Sequence, residues 1–179
     1  LDHASSTDHY GYRLGVDATR KFDVEGTESK WDIKIQDDMT AYLSTHEKIL
    51  NFDYPMSDVL QGCLVVSIKK ESKDDVRQLM EELWSQDAMK YNKFLIVVDE
   101  DVDSTDTSKV AWKVFNNIDA MRDLVIREVP SEQFGHRLGI DATKKLAMDG
   151  HQRVWPDDIV MSDDVKEKVT RRWSEYGID

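Results

Sequence analysis

The sequence predicts an α/β fold, a βαβαβ parallel sheet flanked by helices and followed by a C-terminal tail of one motif plus one helix. Three observations predict it. Short apolar runs recur at Cys63–Ile68, Phe94–Val98 and Leu124–Ile126. The segments between them place apolar residues at helical spacing. A stretch near the N-terminus returns near the C-terminus, outside that alternation. Strands of this length joined by helices require crossover connections, which make their strands parallel and cover both faces of the sheet.

Each element follows from its residues. A helix is expected from Asp37, with acids in its first turn and Met39, Tyr42, Leu43, His46, Ile49 and Leu50 along one side. Residues Phe52–Leu60, with Pro55 among them, read as a connector. Gly62 opens the first strand, whose unbroken apolar run suits a strand covered on both faces. Ser72 starts the next helix, with Asp75 three residues on as a capping box. Val76, Leu79, Met80, Leu83 and Trp84 form its stripe. The second strand runs from Phe94 into the acidic stretch Asp99–Asp103. Thr105–Thr107 supply caps for a helix with Val110, Ala111, Val114, Phe115 and Ile118 on its inner side. The third strand, Leu124–Ile126, ends before Pro130. A last helix begins near Ser162 and carries Val165, Val169 and Trp173 on one side.

The repeated stretch reads Gly11-Tyr12-Arg13-Leu14-Gly15-Val16-Asp17-Ala18-Thr19-Arg20-Lys21-Phe22 and returns as Gly135-His136-Arg137-Leu138-Gly139-Ile140-Asp141-Ala142-Thr143-Lys144-Lys145-Leu146. The register holds onward through Glu25 and Asp149, Gly26 and Gly150, and Trp31 and Trp155. Agreement at constant spacing marks a duplicated unit. Residues 1–50 therefore read as the tail segment of a preceding unit, and residues 51–179 as one complete unit. In each motif Asp17 or Asp141 is expected to hold turn amides, and Gly15 or Gly139 to supply special backbone angles. Thr19, Thr143, Lys21 and Lys145 complete a structural motif with the lysines at the surface. The functional alternative sets Lys21 or Lys145 on an anionic ligand.

Composition narrows the function. Thirty-six acids against 24 Lys and Arg leave a net charge of −12, which opposes binding to nucleic acid or anionic membrane. No apolar run is long enough to span a bilayer. Cys63 is a lone thiol in an apolar run, which reads as a core residue and fits a reducing cytoplasm. His3, His9, His46, His136 and His151 show no zinc spacing. There is no P-loop, nucleophile elbow or Cys-x-x-Cys pair. Asp99 and Asp101, at a strand's carboxyl end, are the candidate Mg²⁺ ligands. Trp31 and Trp155 read as packing anchors.

Four phrases in order, Val65-Val66-Ser67-Ile68-Lys69-Lys70, Lys93–Asp103, Arg122-Asp123-Leu124-Val125-Ile126 and Leu138–Lys145, resemble the C-terminal domain of the UbiD family of decarboxylases. The opening, Leu1–Phe22, resembles the final segment of that same domain. The resemblance implies a parent that decarboxylates aromatic or unsaturated acids, in ubiquinone or menaquinone synthesis. It would use prenylated FMN with a divalent metal. The family's Glu-Arg-Glu catalytic set has no match here, so no catalytic or cofactor-binding residue is carried over. The implied role is accessory: capping the active-site cleft or building a homo-oligomer by exchange of the C-terminal helix, with Val169 and Trp173 as contact residues. The connection Pro130–Phe134 is shorter than the family's pattern, and the segment before Cys63 is altered. The rival reading is a free-standing small-molecule or Mg²⁺-binding module built on Asp99, Asp101 and Lys145.

Overall fold

A computed structural model describes residues 14–16, 33–55, 57, 62–89, 91–128, 136–152, 154–155 and 160–177. It is an α/β structure with a mixed five-stranded sheet. The elements in chain order are α1 (Ile33–Leu43), β1 (Ile49–Asp53), β2 (Cys63–Ile68), α2 (Asp75–Ser85), β3 (Phe94–Asp99), α3 (Thr107–Asn117), β4 (Leu124–Arg127), β5 (Arg137–Asp141) and α4 (Asp163–Arg171). The strand order is β1-β2-β3-β5-β4. The three central strands are parallel, and each edge strand is antiparallel to its neighbour.

The apolar run of β2 is buried at every position, as a central strand should be. Its residues alternate between two cores. Leu64, Val66 and Ile68 join Leu95, Val97 and the inner sides of α1 and α2, while Val65 joins Val98, Val102, Val110 and Ala142 beneath α3. The α2 stripe Val76, Leu79, Met80, Leu83 and Trp84 is buried throughout. Trp84 Nε1 donates to Asn92 Oδ1 at 2.9 Å, and Asn92 Nδ2 donates to the carbonyls of Gly62 and Phe94. This buried relay ties the end of α2 to the entrance of β3.

Four expectations change. The first helix stops at Leu43, because the hydroxyls of Ser44 and Thr45 donate to the carbonyls of Thr40 and Tyr42 and close its end. Ile49 and Leu50 therefore belong to an edge strand, β1. Second, α2 begins at Asp75 rather than Ser72. The Asp75 carboxylate accepts from the amides of Glu71 and Ser72 and shapes the turn before the helix. Third, the inner side of α3 is Val110, Lys113 and Asn117, with Val114 and Ile118 partly buried; Phe115 is 82% exposed. Fourth, the third parallel strand is β5, built from the repeated motif. Leu124–Arg127 forms the antiparallel edge instead, with Leu124 opposite Ile140 and Arg127 opposite Arg137.

Gly139 explains how β5 fits. Its backbone does not have the positive φ expected of it; that conformation belongs to Gly62, Gly150 and Gly177. What it supplies is clearance. A Cβ there would stand 2.5 Å from Met80 Sδ and 2.9 Å from Trp84 Cη2, in the α2 core. Of the first motif copy, the structure describes Leu14, Gly15 and Val16. They are exposed and lie in no strand, and nothing comes within 4 Å of a Cβ built on Gly15. Asp17, Thr19, Lys21 and Trp31 lie outside the described residues, as do His3 and His9. Gly139→Ala should cost about 1–3 kcal/mol through overpacking, read as a lower urea midpoint. Gly15→Ala should leave that midpoint unchanged, although the sequence treats the two glycines alike.

Candidate functional site

The carboxyl ends of β2, β3 and β5 carry the chemistry. At the last residue of β5, Asp141 Oδ1 accepts from the Thr143 amide at 3.0 Å and from the Thr143 hydroxyl, so the motif's acid holds the turn. The motif's lysine is not at the surface. Lys145 is 1% exposed, and its ammonium donates to the Asp141 carbonyl at 3.0 Å, Asp141 Oδ1 at 3.0 Å and the Thr143 carbonyl at 2.7 Å. A buried ammonium needs such partners, because losing its water costs several kcal/mol. Asp123 Oδ1 stands 3.7 Å from the same nitrogen.

The network extends to both sides. Lys70, just past β2, reaches Asp149 Oδ1 at 2.9 Å, Asp141 Oδ2 at 3.9 Å and the Thr143 hydroxyl at 3.4 Å. Asp149 Oδ2 accepts from the Leu146 amide. Arg122 grips Asp123 with Nε and Nη2, both at 2.7 Å, and the Asp119 amide donates to Asp123 Oδ2. Burial alone would push the Asp141 carboxyl up, but Lys145 and Lys70 outweigh it and hold it below the ordinary carboxylate range. Burial likewise disfavours the Arg122 cation, and Asp123 reverses the effect, leaving its pKa above the usual value.

Asp99 and Asp101 lie on the other side of the strand ends. Asp99 Oδ2 accepts from the Lys144 amide at 2.9 Å, and Lys144 Nζ donates to Asp101 Oδ2 at 3.1 Å. Burial raises the Asp99 carboxyl above its ordinary value. The rival trio of Asp99, Asp101 and Lys145 is not brought together: Lys144 turns to the two acids, and Lys145 turns to Asp141. Among the described residues no three His, Cys, Asp or Glu side chains gather as a metal site.

The clefts beside these groups have volumes of about 120 and 220 Å³, below the roughly 300 Å³ at which cofactor sites begin. Neither of these two clefts has the volume to enclose a flavin. Cys63 is buried, and burial with nearby Asp53 pushes its thiol up to about 11, which suits a core residue. His46 contacts Glu82 at 3.2 Å, His136 is exposed, and His151 packs against Trp155 with ring centroids 5.2 Å apart.

Sequence reasoning missed Lys70, Arg122, Asp123 and Asp149 as members of this network. The signal for Asp149 was present, since the duplicated unit keeps an acid there as Glu25. Lys113 was missed as well. It is fully buried, and its charge favours ionisation of both Asp99 and Asp101.

Comparison with known proteins places the fold. The model of the 3-octaprenyl-4-hydroxybenzoate carboxy-lyase C-terminal domain matches residues 38–150. An uncharacterized protein of Archaeoglobus fulgidus is 33% identical over 140 residues, covering 73% of this chain and 29% of that protein. One of Aeropyrum pernix is 29% identical over 142 residues, covering 74% of this chain and 29% of that protein. The chain thus spans under a third of the length of these relatives. Among solved structures, the vanillic acid decarboxylase of Sedimentibacter hydroxybenzoicus in its closed form superposes with a TM-score of 0.57 at 19% identity, covering 81% of this chain and 31% of that one. The UbiD-class enzyme HmfF from Pelotomaculum thermopropionicum, an evolved dimeric form in complex with prFMN, superposes with a TM-score of 0.53 at 18% identity, covering 74% and 27%.

Lys145→Met leaves the acids around it without their cation and should destabilise the fold by about 3–5 kcal/mol, measured by urea unfolding. The Asp141 carboxyl, held low in the fold, contributes stability that is complete above the unfolded value near ~3.9. That contribution is lost as pH falls through the lower folded value. The acid limb of a Tm-against-pH curve should therefore be shallower in Asp141→Asn than in the parent chain.

Proposed function

Because the chain belongs to the 3-octaprenyl-4-hydroxybenzoate carboxy-lyase C-terminal domain family, we propose that it is the accessory domain of a UbiD-like decarboxylase. Its work is assembly of a homo-oligomer or covering of the parent's active-site cleft. The parent acts on an aromatic or unsaturated carboxylic acid with prenylated FMN and a divalent metal, in quinone biosynthesis in the cytoplasm. Flavin and metal are held by parts of the parent other than this chain. HmfF, solved with prFMN, supports the cofactor by its likeness in fold, and the family's carboxy-lyase name supports the reaction class. No described helix is long and apolar enough to cross a membrane.

The observation that carries the assembly role is α4. Its polar side bears Asp163, Lys166 and Glu167, with an ion pair of 3.0 Å between Asp163 and Lys166. Its other side shows Val165 at 38% exposure, then Val169, and continues into Trp173 at 51% and Tyr176 at 42%. The helix buries no residue. An amphipathic helix with its apolar side in water is a surface made for a partner, and exposed Trp and Tyr are the residues that anchor interfaces.

Sedimentation equilibrium tests the role. The unsubstituted chain should self-associate, and Trp173→Ala should weaken association about tenfold or more, a loss of 1.4 kcal/mol, with Tm unchanged when measured at a dilution where both chains are monomeric, because Trp173 supports no core. An unsubstituted chain that stays monomeric at high concentration overturns the assembly role.

A further inference from the structure

We propose that the cleft between the start of α2 and the end of β5 binds a small oxyanion, a carboxylate or phosphate group. The cleft is about 120 Å³, with Lys73, Asp74, Arg77 and Arg122 around it and Asp123, Asp141 and Lys145 within. A water's share of liquid volume is about 30 Å³, so the space suits one carboxylate or phosphate group with a few waters. Val76 and Met80, one turn apart on α2, line the cleft with Arg77 beside them, and Lys73 joins them from the turn before the helix.

The argument is an account of donors and acceptors. The inner acids are occupied. Asp123 accepts from Arg122 through both oxygens and from the Asp119 amide. Asp141 accepts from Thr143 and Lys145, with Lys70 facing its second oxygen. Asp149 accepts from Leu146 and is paired with Lys70. Lys145 has given all three of its protons.

What remains around the cleft is mostly donors. Among the described residues the Lys73 ammonium and the Arg77 guanidinium have no hydrogen-bonded or ion-paired partner, and Arg122 spends only Nε and Nη2, leaving Nη1 unused. Against these stands one unengaged carboxylate, that of exposed Asp74. Lys73, Arg77 and the unspent side of Arg122 thus line a space whose inner acids are already paired. An oxyanion supplies the acceptors they lack, and charge-assisted hydrogen bonds of this kind are the strong ones.

This site is independent of the assembly role and is tested on the whole chain. Thermal unfolding is followed with inorganic phosphate and, separately, with benzoate, each against sodium chloride at equal ionic strength. At least one oxyanion should raise Tm saturably above the chloride control. The arm that responds identifies the phosphate-bearing or the carboxylate source. In the double variant Lys73→Ala/Arg77→Ala the apparent affinity should fall about tenfold or more. Its Tm in chloride should stay at the parent value, because both side chains are exposed and unpaired. Arg77→Lys with Lys73 intact should keep part of the effect. No saturable rise with either anion, or the same rise in the double variant, overturns the proposal.

Discussion

The buried Lys145 ammonium organises the working end of this fold. It sits four residues beyond Asp141, the last residue of β5, and satisfies itself on that residue's carbonyl and carboxylate. An ammonium stripped of water is tolerated only where each proton finds an oxygen and the counter-charges are close. Here the surrounding residues meet that demand in alternating sign. Lys70 leads to Asp149 and Asp141, then to Lys145, then to Asp123 and Arg122. These charges come from the exit of β2, the exit of β5 and the loop before β4. Three stretches distant in sequence are thereby fixed to one another. Removing any single member would leave a buried partner unpaired, so the network ties these stretches together as a unit.

Much of the fold was legible because apolar periodicity reports burial directly. Cys63–Ile68 is a strand as read, Phe94–Val98 lies in a strand that runs one residue further to Asp99, and the five-residue stripe of α2 is buried as read. The misreadings have physical causes. Ile49 and Leu50 continue the helical spacing of Met39 and Leu43, but spacing carries no information about hydroxyls that turn back and end the helix. Phe115 sits at a position that fits a stripe, yet α3 packs Lys113 and Asn117 inward, where Asn117 Nδ2 holds the Ala142 carbonyl at 3.0 Å. A buried lysine and asparagine break the polarity pattern on which such readings rest.

The motif was the least transparent part of the candidate site. Leu138-Gly139-Ile140-Asp141 is short, and its glycine suggested a turn. Only the position of α2 above the sheet shows that the glycine makes room for Met80 and Trp84. The charges were hidden for a related reason. In sequence, Lys144 and Lys145 are neighbours of one kind, but the chain past β5 sends their side chains to different partners. One lysine reaches Asp101, and the other is enclosed with Asp141 and Asp123.

The strand order carries a consequence for how the chain comes together. β5 is the last strand in sequence but lies inside the sheet, between β3 and β4. While the chain emerges from a ribosome, β1, β2 and β3 can join early, but β4 has no neighbour until residues past Arg137 are free. Until then the side of β3 that will receive β5 is an unprotected edge, the kind of surface that recruits strands from other molecules. Completion of the sheet is thus a late, all-at-once event in biosynthesis. A chain stopped short of Asp141 would carry an open seam through the middle of its sheet rather than lose a strip from its border.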